Sequence, residues 1–160
     1  MAPWSGVNTS HPNRIVAEAV AANAIPELAG YPDLRREVGY GANSRVDFVL
    51  NGPGRPEVHV EVKSVTLSRR SGLAEFPDSV TARGTKHLAE LSILATGSRR
   101  AVMLYVVQRA DALQFALARD IDPAYGAAFD RARAAGVEML AYRCHITPNE
   151  IALDGGIPFA

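Results

Sequence analysis

The chain has 160 residues and a mass of 17.1 kDa, the size of one ordinary domain. Hydrophobic residues make up 48% and charged residues 21%, a composition that excludes an intrinsically disordered chain. Lysine plus arginine (17) equal aspartate plus glutamate (17), which excludes a uniformly basic, nucleic-acid-coating protein but leaves room for local basic patches.

Residues 1–12 are expected to form an irregular N-terminal arm. The arm opens Met-Ala-Pro-Trp-Ser-Gly, with no basic start followed by an apolar stretch, so no signal peptide is expected. A helix is predicted from about Pro12 or Asn13 to Asn23, because Ile15, Val16, Ala19 and Val20 recur at helical spacing and Asn13 can cap. Ile25-Pro-Glu-Leu-Ala-Gly-Tyr-Pro ends it. A strand over about Leu34 to Tyr40 precedes two alternating ones. In the first, Val46, Phe48 and Leu50 alternate with Arg45, Asp47 and Val49; in the second, Val58, Val60 and Val62 alternate with His59, Glu61 and Lys63. Such alternation predicts strands with one buried face, and Asn51-Gly-Pro-Gly-Arg-Pro between them predicts a turn.

A second helix is expected to start at an Asp78 or Ser79 cap and to run to about Thr96, with Val80, Leu88, Leu91 and Leu94 as apolar positions. Ala101 to Val107 is the longest apolar run, predicted as a fully buried strand and far short of the roughly 20 residues that span a bilayer. Asp122-Pro123 opens a third helix that Gly136 closes, and Val137 to Ile146 is a last strand. The order α-β-β-β-α-β-α-β predicts one three-layer α/β domain with a mixed sheet over residues 13–152, followed by a peripheral tail over 153–160. The lone Cys144 excludes an internal disulfide and a multi-cysteine zinc site. These features lead to the expectation of a reduced, cytoplasmic protein away from the membrane.

The chemistry is concentrated in Asp47 and Glu61-Val62-Lys63. Side chains at i and i+2 of a strand share a face, so Glu61 and Lys63 project together. A hairpin centred near Gly54 places Asp47 opposite Glu61, Arg45 opposite Lys63 and Val49 opposite His59, with opposed Cβ atoms about 5 Å apart. Two carboxylates so close repel, which raises the pKa of at least one. A divalent cation such as Mg²⁺ relieves the repulsion, since it takes oxygen ligands and commonly uses one or two carboxylates. Lys63 is then placed to orient an attacking water and offset developing phosphate charge. Spacing alone favours a solvated polar sheet face with a cross-strand ion pair.

Longer blocks carry a resemblance. Gly39-Tyr-Gly-Ala-Asn-Ser-Arg-Val-Asp-Phe, Val60-Glu-Val-Lys-Ser-Val-Thr-Leu and Phe76-Pro-Asp-Ser-Val-Thr-Ala-Arg-Gly-Thr-Lys-His-Leu-Ala-Glu-Leu resemble the sugar fermentation stimulation protein A family. So do Val7-Asn-Thr, Asn13-Arg14, Ile25-Pro-Glu-Leu-Ala-Gly-Tyr and Ala135-Gly-Val-Glu-Met-Leu-Ala-Tyr, so that the likeness runs from about Gly6 to Ile151.

The resemblance implies a restriction-endonuclease-like α/β/α domain of the PD-(D/E)XK type. It implies Mg²⁺ (or Mn²⁺) held by Asp47 and Glu61, with Lys63 catalytic and Glu18 as a first-helix glutamate that assists. It also implies DNA as partner, and either a nuclease or a DNA-binding regulator of sugar (maltose) metabolism that keeps the scaffold without cleavage. Candidate phosphate contacts are Arg45, Arg69 and Arg70, together with Arg83 and Lys86 on the second helix, where a salt-bridged solvent face involving Glu90 is the other reading. Family members carry an OB-fold-like domain ahead of the Val-Asn-Thr block, whereas Met1 here stands six residues before it, so a chain lacking that module is expected.

Overall fold

The computed structural model describes residues 11–40 and 44–160. In chain order the elements are α1 (His11–Ala21), a 3₁₀ turn (Pro26–Leu28), β1 (Asp33–Tyr40), β2 (Ser44–Asn51), β3 (Val58–Val65), β4 (Leu67–Arg70) and β5 (Leu73–Phe76). They continue with α2 (Ala82–Ala95), β6 (Arg100–Val107), β7 (Gln114–Leu117), α3 (Pro123–Ala134), β8 (Glu138–Ile146) and β9 (Ile151–Gly156). Among the described residues no helix is long and apolar enough to cross a membrane.

Six strands form a mixed sheet in the order β1-β2-β3-β6-β8-β9, and β4-β5-β7 form a smaller one. The meander β1-β2-β3 is antiparallel, β3, β6 and β8 are parallel, and β9 returns antiparallel to β8. α1 buries Ile15, Val16, Ala19 and Val20 against Phe48, Leu50, Val60 and Val62 on one face. Leu88, Leu91 and Leu94 of α2, with Tyr125 and Phe129 of α3, cover Met103, Tyr105 and Val107 on the other. The result is the expected three-layer α/β/α arrangement. Parallel strands require helices on both faces, so the sheet here has two buried faces rather than one. Val49, His59 and Glu61 are therefore buried along with Val46 and Phe48.

The expected hairpin register is present at Phe48↔Val60, Val49↔His59 and Leu50↔Val58, around a turn in which Gly54 takes a φ of 67°. The ladder stops there, so the expected pairings of Asp47 with Glu61 and of Arg45 with Lys63 do not form.

Three expectations need correction. α2 is capped by Thr81, whose hydroxyl accepts from Gly84 N–H at 3.0 Å, not by Asp78 or Ser79. Thr81 wins because its own N–H is fixed by Asp122 (2.8 Å), the residue that also caps α3 through Tyr125 N–H (3.0 Å). Val80 consequently lies outside the helix, 74% exposed. Helix α1 begins at His11, so residues 11 and 12 are helical rather than part of the arm expected over 1–12; residues 1–10 lie outside the described residues. The tail expected as peripheral from residue 153 is part of the fold: β9 completes the main sheet, and Phe159 bridges to Phe115 with ring centroids 5.2 Å apart.

Candidate functional site

Asp47 sits where the sheet opens on both sides. The β1–β2 ladder pairs Arg36 with Phe48 and Val38 with Val46, but between them Glu37, opposite Asp47, adopts φ 50° in the left-handed region and drops out. The β2–β3 ladder ends at Phe48↔Val60. The Asp47 side chain fills the gap. Its Oδ2 accepts the Val62 N–H at 2.8 Å, and its Oδ1 accepts from the Asn13 side chain of α1 at 3.0 Å. These bonds fix the carboxylate between the meander and β3.

Glu61 and Lys63 leave β3 on the face covered by α2, as strand periodicity requires. The Lys63 Nζ lies 3.9 Å from Glu61 Oε1, and Glu61 is only 7% exposed. Burial pushes the Glu61 carboxyl up to about 8, and the Asp47 charge pushes in the same direction. Lys63 and Arg83 work against that rise. Burial lowers the Lys63 ammonium, while Glu61 and Asp47 support it. Near neutral pH Glu61 therefore sits close to a change of charge, which is where acid–base chemistry needs such a group.

Two further residues come in: Asn13, expected as a helix cap but lying inside α1, and His87 of α2. Both touch the site. The His87 Nδ1 is 2.8 Å from Lys63 Nζ and 3.4 Å from Glu61 Oε1. Burial, with Lys63 and Arg83, lowers the His87 imidazole to about 4. The usable signal for His87 was its position four residues after Arg83, on the same helix face.

Glu18 is a correction. It lies on α1, which covers the opposite sheet face, and it is exposed and pairs with Arg14 across one helical turn at 3.9 Å. Helical spacing put it at i+3 from Ile15, but the apolar stripe of α1 turns Glu18 outward. Arg69 is also no free cation: its guanidinium is held by Glu75 (2.8 Å) and Asp120 (2.7 Å), fastening the small sheet to the loop before α3. Lys86 pairs with Glu90 at 3.6 Å, so the salt-bridge reading of α2 is realised there. Glu90 itself accepts from Tyr40 Oη (3.0 Å) and Ser44 Oγ (2.7 Å), tying α2 to the ends of β1 and β2. Arg45, Arg70 and Arg83 are exposed, and Arg83 lies close enough to Glu61, Lys63 and His87 to act on all three charges.

Among the described residues no set of three His, Cys, Asp or Glu side chains converges as a metal cage. The donor chemistry nevertheless fits a hard divalent ion: one fixed carboxylate and one buried carboxyl whose ionisation a cation would favour. Mg²⁺ usually keeps several waters and takes only one or two carboxylates, so two acids suffice.

The family model for the sugar fermentation stimulation protein RE domain matches residues 10–150. The sugar fermentation stimulation protein homologue of Ruegeria pomeroyi is 58% identical over 94% of this chain and 65% of its own. That of Roseobacter denitrificans is 56% identical over 97% of this chain and 66% of its own. The chain thus spans slightly less than two thirds of these relatives. A solved structure described as Pyrococcus furiosus SfsA in complex with Ca²⁺ superposes with a TM-score of 0.91 at 27% identity, covering 99% of this chain and 68% of that one.

Proposed function

Since the chain belongs to the sugar fermentation stimulation protein family, we propose that this domain binds DNA and carries a Mg²⁺-dependent site for phosphodiester hydrolysis. The observation that carries the reading is the meeting of Asp47, Glu61 and Lys63 at one break in the sheet, two acids and an amine around a partly closed point. The Pyrococcus furiosus relative is described with Ca²⁺, a hard oxygen-seeking ion of the class this acidic pair suits.

Asp47 and Glu61 are the residues that would hold Mg²⁺ or Mn²⁺, which supplies Lewis-acid stabilisation of the phosphate when bound. Asp47 is fixed by Val62 N–H and Asn13, so little reorganisation is needed. Lys63, with its lowered ammonium, can exchange a proton at Nζ with a water beside Glu61. Arg83 adds positive charge next to the acids, where a phosphate backbone would pass, and Arg45 and Arg70 extend the basic surface.

The test is cleavage of end-labelled single- and double-stranded DNA with millimolar Mg²⁺, comparing the wild type with Lys63→Ala. The reading expects metal-dependent cutting that Lys63→Ala reduces by about 100-fold or more while DNA binding is retained. Binding without any cutting would instead leave a regulator on a nuclease scaffold, the reading that the deep burial of Glu61 favours.

A further inference from the structure

One side chain in contact with both Glu61 and Lys63 has no part in the chemistry above. His87 is 12% exposed in its side chain and lies on α2 between Gly84 and Leu88, both buried residues of that helix. Leu88 and Leu91 anchor that stretch of helix in the core beneath Met103 and Tyr105, so the imidazole is mounted on a rigid element. Lys63 is the opposite case, an amine on a flexible four-carbon stem. Within β3 its Nζ meets Glu61 Oε1 at 3.9 Å, longer than a hydrogen bond.

The 2.8 Å contact supplies the selection. As an ammonium Lys63 has only donors, and in that form His87 meets it with the Nδ1 lone pair, which puts the ring proton on Nε2. With that lone pair taken, Nδ1 is not available to a metal even though Glu61 Oε1 lies 3.4 Å away. We propose that His87 is a positioning residue, whose Nδ1 holds the Lys63 amine beside the Asp47–Glu61 pair. Its catalytic consequence rests on the hydrolytic reading; the hydrogen bond does not.

Two measurements separate these. The first is single-turnover DNA cleavage by the full chain with Mg²⁺, for His87→Leu, His87→Asn, Lys63→Ala and the Lys63→Ala/His87→Leu double variant. His87→Leu is expected to slow cleavage on the order of 100-fold, and His87→Asn, which keeps an acceptor near the Nδ1 position, to restore most of it. The double variant is expected to be no slower than Lys63→Ala alone, since His87 acts only through the lysine. A further loss in the double variant, or a His87→Asn as slow as His87→Leu, overturns the proposal. The second is a two-bond proton–nitrogen correlation spectrum of the imidazole in the metal-free protein at neutral pH. An Nε2–H tautomer that loses its Nδ1 hydrogen-bond shift in Lys63→Ala is the expected result, and an Nδ1–H tautomer overturns the proposal whether or not DNA is cut. A wild type that cuts nothing but shows the expected tautomer removes the hydrolytic reading and keeps the contact.

Discussion

The Asp47 carboxylate takes the place of a missing backbone partner: its Oδ2 accepts the Val62 N–H at 2.8 Å where β2 and β3 separate. One side chain therefore serves both the sheet and the site. Val62 is buried, so deleting the acceptor leaves an N–H with no water to bond. Asp47→Ala is expected to lose about 1–3 kcal/mol of metal-free stability in urea unfolding. Asp47→Asn keeps an acceptor oxygen and removes the charge beside Glu61, so it is expected to lose much less. Equal losses in the two variants would contradict the role given to the Val62 contact.

Glu61 gives the metal-free protein a pH signature. Its folded carboxyl is raised from 4.5 to about 8, chiefly by burial and next by Asp47. Between those values the folded state holds a proton that the unfolded state has released, so stability falls as pH rises. The Glu61 contribution is fully present below about 4.5 and gone above about 8. The stability of Glu61→Gln relative to wild type is thus expected to climb across that window and level off above it. Unfolding measured with both proteins in the same buffers checks this, and a difference independent of pH would contradict it.

The cations divide into free and engaged ones. Arg83 is exposed beside the acids, whereas Arg69 is clamped by Glu75 and Asp120. Each phosphate contact adds about 0.9 to the slope of log affinity against log salt on duplex DNA. Arg83→Gln is expected to lower that slope by roughly 1. Arg69→Gln is expected to lower the melting temperature and leave the slope unchanged. The reverse pattern would place the DNA over the small sheet instead of over α2.

The last residues are expected to matter for stability. Phe159 packs against Phe115 at 5.2 Å, Phe129 at 6.0 Å and Tyr105 at 6.4 Å. Because it is half-buried, Phe159→Ala is expected to cost about 2 kcal/mol, below the value for a fully enclosed phenylalanine. A loss within about 0.5 kcal/mol would return the tail to the surface role its composition first indicated.

The hairpin and its register were legible because two alternating strands flank a turn built of glycine and proline, which leaves few ways to pair them. Continued by one residue, that register sets Asp47 beside Glu61, although the ladder itself ends at Phe48↔Val60. The small sheet was not legible: β4, β5 and β7 are four residues each, too short to show a period. Thr81 was missed as the α2 cap because the decisive partner, Asp122, is distant in sequence. Glu18 misled for a related reason. Helical spacing gives a face but not which layer that face meets, and α1 lies across the sheet from Glu61. The same limit hid His87, whose contact with Lys63 depends on how α2 crosses β3.

The acidic pair as a divalent-cation site is tested most directly by calorimetric titration of Mn²⁺ into the full chain and into Asp47→Asn at neutral pH. The account predicts saturable binding near one ion per chain in the wild type and none in the variant, with both proteins folded by circular dichroism. Saturable binding that survives Asp47→Asn unchanged, or no binding by the wild type at millimolar Mn²⁺, would contradict it.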